Sequence, residues 1–199
     1  MIARGGRLFV LLSAAAAVAL FPVNVYACVG FACLTGFLVF VFRDPSRRAG
    51  EGIVAPADGT VREVDREKGL VSIYLALINV HVTRAPLEGV VSKLVRHPGK
   101  HVPAFSRRSP NNERVELAMD TGIGTVLITH ISGILARRIV PYVDKGHSMD
   151  KADRLGLIRF GSRVDLVMPP DRVDIKVEVG QRLRAGVTCV AEVSDDRAG

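Results

Sequence analysis

The amino-acid sequence predicts a mainly β domain, sandwich- or barrel-like, behind an apolar helical hairpin. Three observations predict it. From Leu8 to Phe42 the chain carries no charged residue. After Pro45 it changes to short runs of β-branched residues separated by Gly, Pro and Asp, the pattern of strands and tight turns. Within that stretch Val143-x-x-Gly146-x-x-Met149-x-x-Ala152 returns as Val177-x-x-Gly180-x-x-Leu183-x-x-Gly186. The expected division is a hairpin over 1–45 and a domain over 46–199.

A single membrane span needs roughly 20 apolar residues, so the uncharged run is too long for one simple helix. Pro22 and Asn24 break it into Leu8–Phe21 and Val25–Phe42, which as helices reach ~21 Å and ~27 Å. Arg4 and Arg7 precede the run and Arg43, Arg47 and Arg48 follow it. Excess positive charge marks the cytoplasmic side, so both ends are expected there. The expectation is a hairpin that spans or dips into the cell membrane, with the following domain on the cytoplasmic face. A cleaved signal ending at Val25-Tyr26-Ala27-Cys28 explains less, because the apolar run continues past Cys28 as far as Phe42. A soluble hairpin would show a polar face.

Net charge is +7, with 27 Lys and Arg against 20 Asp and Glu. This suits attraction to anionic headgroups. There is no Trp and no interleaved aromatic platform, so no nucleic acid partner is expected. Cys28, Cys33 and Cys189 carry neither a metal nor a disulfide spacing, and no metal is expected.

Strands are predicted at Ile53-Val54, Thr60–Val64, Leu70–Leu75, Val80–Thr83, Val90–Val95, Val115–Met119, Thr125–Ile131, Ile139–Val143, Leu157–Phe160, Val164–Met168, Ile175–Val179 and Thr188–Val193. Each copy of the repeat reads as strand, Gly turn, apolar anchor and small-residue turn. The pair resembles the two halves of the hammerhead-like barrel of biotinyl and lipoyl carriers. Asp150-Lys151-Ala152 matches the lipoylated tripeptide of those carriers, but it lies inside one copy and not on the turn between copies. Arg96–Arg108 is a basic, Pro-broken segment, suited to a surface loop or to phosphate headgroups.

Four local patterns carry the chemistry: Phe42-Arg43-Asp44-Pro45, Ala55-Pro56-Ala57-Asp58-Gly59, Asn79-Val80-His81-Val82-Thr83-Arg84-Ala85-Pro86 and Ile158-Arg159-Phe160-Gly161-Ser162-Arg163-Val164-Asp165. Alone each is an ordinary turn or strand. In this order, with His97-Pro98-Gly99-Lys100, Asn112-Glu113-Arg114 and Ala136-Arg137-Arg138-Ile139-Val140, the chain resembles the short branch of the phosphatidylserine decarboxylase family, which includes archaetidylserine decarboxylase-like proenzymes. The resemblance covers about residues 38–193.

The resemblance implies a proenzyme that cuts itself between Gly161 and Ser162. Ser162 would become a covalent pyruvoyl cofactor, and chains 1–161 and 162–199 would remain together as a heterodimer, itself able to pair as a homodimer. The serine amine of a membrane phospholipid, phosphatidylserine or archaetidylserine, would form a Schiff base with that group and lose CO₂ to give the ethanolamine lipid. A serine hydroxyl needs a neighbouring base. His81 is expected as base and later proton donor, with Asp58 orienting it as in a triad. The long branch of the family has a second His where this chain has Arg84, so either His81 does both jobs or a shifted register brings it to the second role, with His97 and His130 in reserve. Arg43, Arg84, His97, Arg137 and Arg138 are the candidates for the phosphodiester, since Arg can grip phosphate with two N–H groups. Two rival readings remain: a membrane-anchored barrel-sandwich adaptor without catalysis, and an anchored serine hydrolase with a free Ser162 hydroxyl.

Overall fold

The computed structural model describes residues 1–99, 112–133, 139–158 and 162–194. The chain divides into two units, Met1–Ser46 and Arg47–Gly199.

In the first unit the apolar run forms α1 (Arg7–Leu20) and α2 (Val25–Val41). Asn24 starts α2: its side-chain oxygen accepts from Tyr26 N–H at 3.0 Å and Ala27 N–H at 3.1 Å, satisfying donors that a helix start leaves open. The open end of the hairpin is tied by Ala3 N–H to Phe42 C=O at 2.9 Å and Asp44 N–H to Met1 C=O at 2.7 Å. The Phe9 and Phe42 rings stack there. Thr35 Oγ1 donates to Ser13 Oγ at 3.0 Å between the helices. The remaining surface is apolar on both helices, with Leu8, Leu11, Leu12, Val29, Leu34 and Phe37 all exposed. Among the described residues no helix is long and apolar enough to cross a membrane. Of the two expected forms of the hairpin, the spanning one is not supported: 14 and 17 residues rise ~21 Å and ~26 Å, less than a hydrocarbon core of ~30 Å.

The second unit is mainly β, as expected. Its strands are β1 (Ile53–Val54), β2 (Gly59–Asp65), β3 (Leu70–Leu75), β4 (Val82–Arg84), β5 (Gly89–His97), β6 (Arg114–Thr121), β7 (Gly124–Ile131), β8 (Ile139–Pro141), β9 (Ser148–Met149), β10 (Arg154–Ile158), β11 (Ser162–Val167), β12 (Val173–Ile175), β13 (Arg182–Leu183) and β14 (Cys189–Val193). The strand predicted at Ile175–Val179 lies instead at Val173–Ile175, and β9 and β13 are two-residue strands too short to leave a periodic signal. An eight-stranded sheet has the order β13-β2-β3-β11-β7-β6-β5-β9, and two three-stranded sheets have the orders β1-β14-β12 and β4-β10-β8. Alternate residues of the large sheet face the core: Val71, Ile73 and Leu75 on β3, Val164 and Leu166 on β11, Val126 and Ile128 on β7, Val115, Leu117 and Met119 on β6.

The repeat extends beyond its Gly-rich half. Ala55-Pro56-Ala57-Asp58-Gly59-Thr60-Val61 recurs as Ala85-Pro86-Leu87-Glu88-Gly89-Val90-Val91. Each copy holds one copy of the later repeat by matching bonds. Gly180 N–H donates to Val61 C=O at 2.9 Å and Gly146 N–H to Val91 C=O at 2.7 Å. Gly186 N–H donates to Ala55 C=O at 2.8 Å and Ala152 N–H to Ala85 C=O at 2.9 Å. Gly180 and Gly146 have φ of 92° and 88°, and Gly186 and Ala152 have 73° and 71°, so the turns share one backbone shape. The copies also exchange bonds: Arg84 N–H to Pro56 C=O at 2.8 Å, Val54 N–H to Pro86 C=O at 3.0 Å. The ladders β2–β3 and β5–β6 slip register at the same place, after Val61 and after Val91. The large sheet therefore reads as two halves about a local twofold, with β11 and β7 at its centre. Leu166 opposite Ile128 lies on the axis. Ser162 opposite Leu75 corresponds to Gly124 opposite Thr121, and by the same count His130 corresponds to Met168.

Candidate active site

Ser162 opens β11, a central strand, directly opposite Leu75 at the end of β3. It is fully buried, and its Oγ has no hydrogen-bond partner among the described residues. A buried hydroxyl without a partner costs free energy, so such a group calls for an explanation beyond packing. The other side of the cut bond, Gly161, lies outside the described residues, as do Arg159 and Phe160.

One short connection grips both flanks of this segment. Its start, Leu75, pairs with Ser162; its end, His81, accepts Ile158 N–H through its carbonyl at 3.1 Å. Between them Asn79 closes the turn: its side chain accepts Ala76 N–H at 2.8 Å, and its own N–H donates to Ala76 C=O at 3.0 Å. That is why an Asn sits two residues before His81: a short amide side chain can complete a turn on neighbouring backbone. Val82 then pairs with Leu157 in β10. His81 and Ser162 are both buried, and the topology brings their backbones to the same segment.

Asp58, directly before β2, is buried. Its carboxylate takes both terminal nitrogens of Arg47 and accepts Ala185 N–H at 2.8 Å. Arg47 also donates to Ala185 C=O at 2.8 Å. The Asp58 and Arg47 side chains are 12% and 6% exposed, so this is a buried, two-pronged ion pair. The carboxylate's described hydrogen bonds go to guanidinium and backbone, and no described bond lies behind the expected orientation of His81 by Asp58. Arg47 escapes a reading of the sequence because it stands there as one of several cations after an apolar run.

The phosphodiester candidates are not gathered into one place. Arg43, in the first unit, lies 4.1 Å from the Phe40 ring centre and donates to Phe40 C=O at 2.7 Å. Arg84 is buried and donates to Ala152 C=O at 2.9 Å. His97, at the end of β5, has Nε2 3.1 Å from Glu116 Oε2. Arg114 chiefly, with His97 adding, holds the Glu116 carboxyl below the usual carboxylate range. Arg137 and Arg138, and the basic segment from Lys100 to Arg108, lie outside the described residues.

His130, on β7 opposite Val115 and Val164, is fully buried. Neither ring nitrogen has a hydrogen-bond partner among the described residues. Burial alone lowers its pKa from 6.5 to about 4, so the ring is neutral at neutral pH.

Ser162 thus stands at the head of a central strand, buried and without a described partner at Oγ, with residues 159–161 between it and the end of β10 in the sequence. A sequence model of the phosphatidylserine decarboxylase family matches residues 34–191, and the chain belongs to that family. It is 47% identical to the phosphatidylserine decarboxylase proenzyme of Streptomyces avermitilis over 78% of this chain and 74% of the relative. It is 41% identical to a protein of Methanosarcina mazei named "Putative archaetidylserine decarboxylase proenzyme", over 99% of both chains. A protein of the same printed name from Halobacterium salinarum is 48% identical over 79% of this chain and 82% of the relative. The family is pyruvoyl-dependent, and the residues present fit that group: Ser162 supplies its three carbons, and its buried hydroxyl is tied to nothing described that the conversion would have to break.

Proposed function

We propose that the protein cuts itself between Gly161 and Ser162 and then decarboxylates the serine headgroup of a phospholipid to the ethanolamine lipid. The observation that carries this is the fully buried Ser162, without a described partner at Oγ, at the first position of β11. When formed, the pyruvoyl group supplies an electron sink for the carbon that loses CO₂. The chain's own residues hold the site. Asn79 sets the turn that carries His81 to Ile158, and His81 holds the proton that the product carbon needs. The ion pair of Asp58 with Arg47 fixes the turn after β1. The two pieces stay together because β11 lies between β3 and β7, β13 pairs with β2 and β14 pairs with β1, each across the cut.

The substrate is assigned at its headgroup, a serine phosphodiester; phosphatidylserine and archaetidylserine share it. The apolar surface of α1 and α2 supports a place at a lipid surface, reached by insertion along the interface, and the Arg residues flanking the apolar run favour its cytoplasmic side. The heterodimer of the two pieces is a further part of this reading, and its pairing into a homodimer follows the resemblance alone. The full chain, supplied with phosphatidylserine vesicles, should form phosphatidylethanolamine, and Ser162→Ala should form none. Turnover by an uncut Ser162→Ala chain would overturn the proposal.

A further inference from the structure

We propose that His130 is the base that takes the Ser162 hydroxyl proton when the chain cuts itself. This rests on the self-cleavage reading above and assigns the group that drives it. Val164 and His130 are directly opposite on β11 and β7, so their side chains share a face of the sheet. Ser162 is two residues from Val164 on the same strand and therefore points to that face as well. Ser162 and His130 are thus diagonal neighbours, a spacing at which Cα atoms lie about 7–8 Å apart and side chains can meet. Both are buried, and neither polar group has a partner among the described residues. Two adjacent unpartnered polar groups in one core are each costly alone, and each removes the other's cost once they bond.

The local twofold supplies a control within the molecule. The corresponding corner holds Gly124 and Met168, one without a side chain and one apolar. Packing at this position therefore does not require an imidazole. Only the corner that bears the cut serine carries one.

In this step the imidazole lone pair takes the Oγ proton, and Oγ bonds to the Gly161 carbonyl carbon. The Gly161–Ser162 C–N bond breaks, and the imidazolium returns its proton to the departing Ser162 nitrogen. The products are an ester on Oγ and a free amine, with His130 neutral again. Burial keeps the ring neutral and its lone pair open at neutral pH. A ring with so low a pKa is a weak base at rest, but the charge that develops on Oγ beside it favours its protonation in the step itself.

The test uses the full chain with His130→Met, which copies the Met168 corner, and His130→Gln, which keeps a polar side chain that cannot take a proton. Folding is checked by thermal unfolding, and cleavage is followed by denaturing gel with and without hydroxylamine, which opens an ester at Oγ. Both variants should fold and be cut at least ~10²-fold more slowly than the wild type. Hydroxylamine should release no fragment, because the ester is not formed. Where one variant fails to fold, the other carries the test. Cleavage at the wild-type rate in a folded variant would overturn the assignment, as would fragments released by hydroxylamine. If the wild type itself stays uncut, the self-cleavage reading fails. If the wild type is cut and both variants are cut equally fast, only the role of His130 fails.

Discussion

The two halves of the β unit share a backbone and differ in what they bury. In the first, Asp58 is sunk against Arg47 and bonded to Ala185 N–H. In the second, the matching residue is Glu88, which is exposed. At the centre of the sheet one corner holds Ser162 and His130 and the other Gly124 and Met168. The matching turns have the same φ to within a few degrees, so the scaffold does not demand these polar groups. What a repeat keeps in both halves serves folding; what it buries in one half alone is where function is to be sought.

This asymmetry should show its largest effect at the buried ion pair. Arg47→Ala leaves a carboxylate buried without its cation and should cost about 3–5 kcal/mol in chemical denaturation. Glu88→Ala, at the matching exposed position, should cost under about 0.5 kcal/mol. Equal losses at the two sites would refute the difference between the halves.

His130 comes next. Its folded pKa of about 4 lies below the unfolded value of 6.5, so below pH 6.5 the unfolded chain binds a proton that the folded one does not. Stability from this group is present above pH 6.5 and falls as pH drops towards 4. Between pH 7 and pH 4.5 the wild type should lose about 2–3 kcal/mol more than His130→Met. Parallel losses in the two proteins would show that this ring is not held neutral by burial.

The smallest effects should come from the turns. An added Cβ at Gly186 would sit 2.8 Å from Arg84 Cδ and 3.0 Å from Ala152 Cβ at φ +73°, whereas at Gly180 and Gly146 it meets nothing within 4 Å. Gly180→Ala and Gly146→Ala should each cost about 1 kcal/mol through backbone strain alone, and Gly186→Ala more than either. A Gly186→Ala protein as stable as the other two, by thermal unfolding, would contradict the crowding at that turn.

Much of this is legible in the residues. Short runs of β-branched and other apolar residues between turn residues, as in Leu70–Leu75 and Val164–Met168, locate the strands. The Gly-rich half of the repeat is visible because its turns need positive φ. Its partner, Ala55–Val61 against Ala85–Val91, is hidden because those residues read as parts of separate motifs. Length alone argues against full spans in the apolar hairpin, since no composition can stretch a helix as short as α1. The role of Arg47 and the nearness of His130 to Ser162 are not legible. The first depends on a carboxylate beyond β1, and the second on the register between β7 and β11, which local sequence does not encode. For the same reason a motif names Asp58 but not the Arg47 guanidinium that its carboxylate meets.

Everything proposed for the chemistry depends on the cut at Gly161–Ser162, and the intact mass of the denatured protein reads that cut directly. Two species are predicted, 1–161 and 162–199, the smaller one blocked at its N-terminus and lighter than a serine-started peptide by the mass of one ammonia. A single mass for residues 1–199 in material that decarboxylates lipid would contradict it.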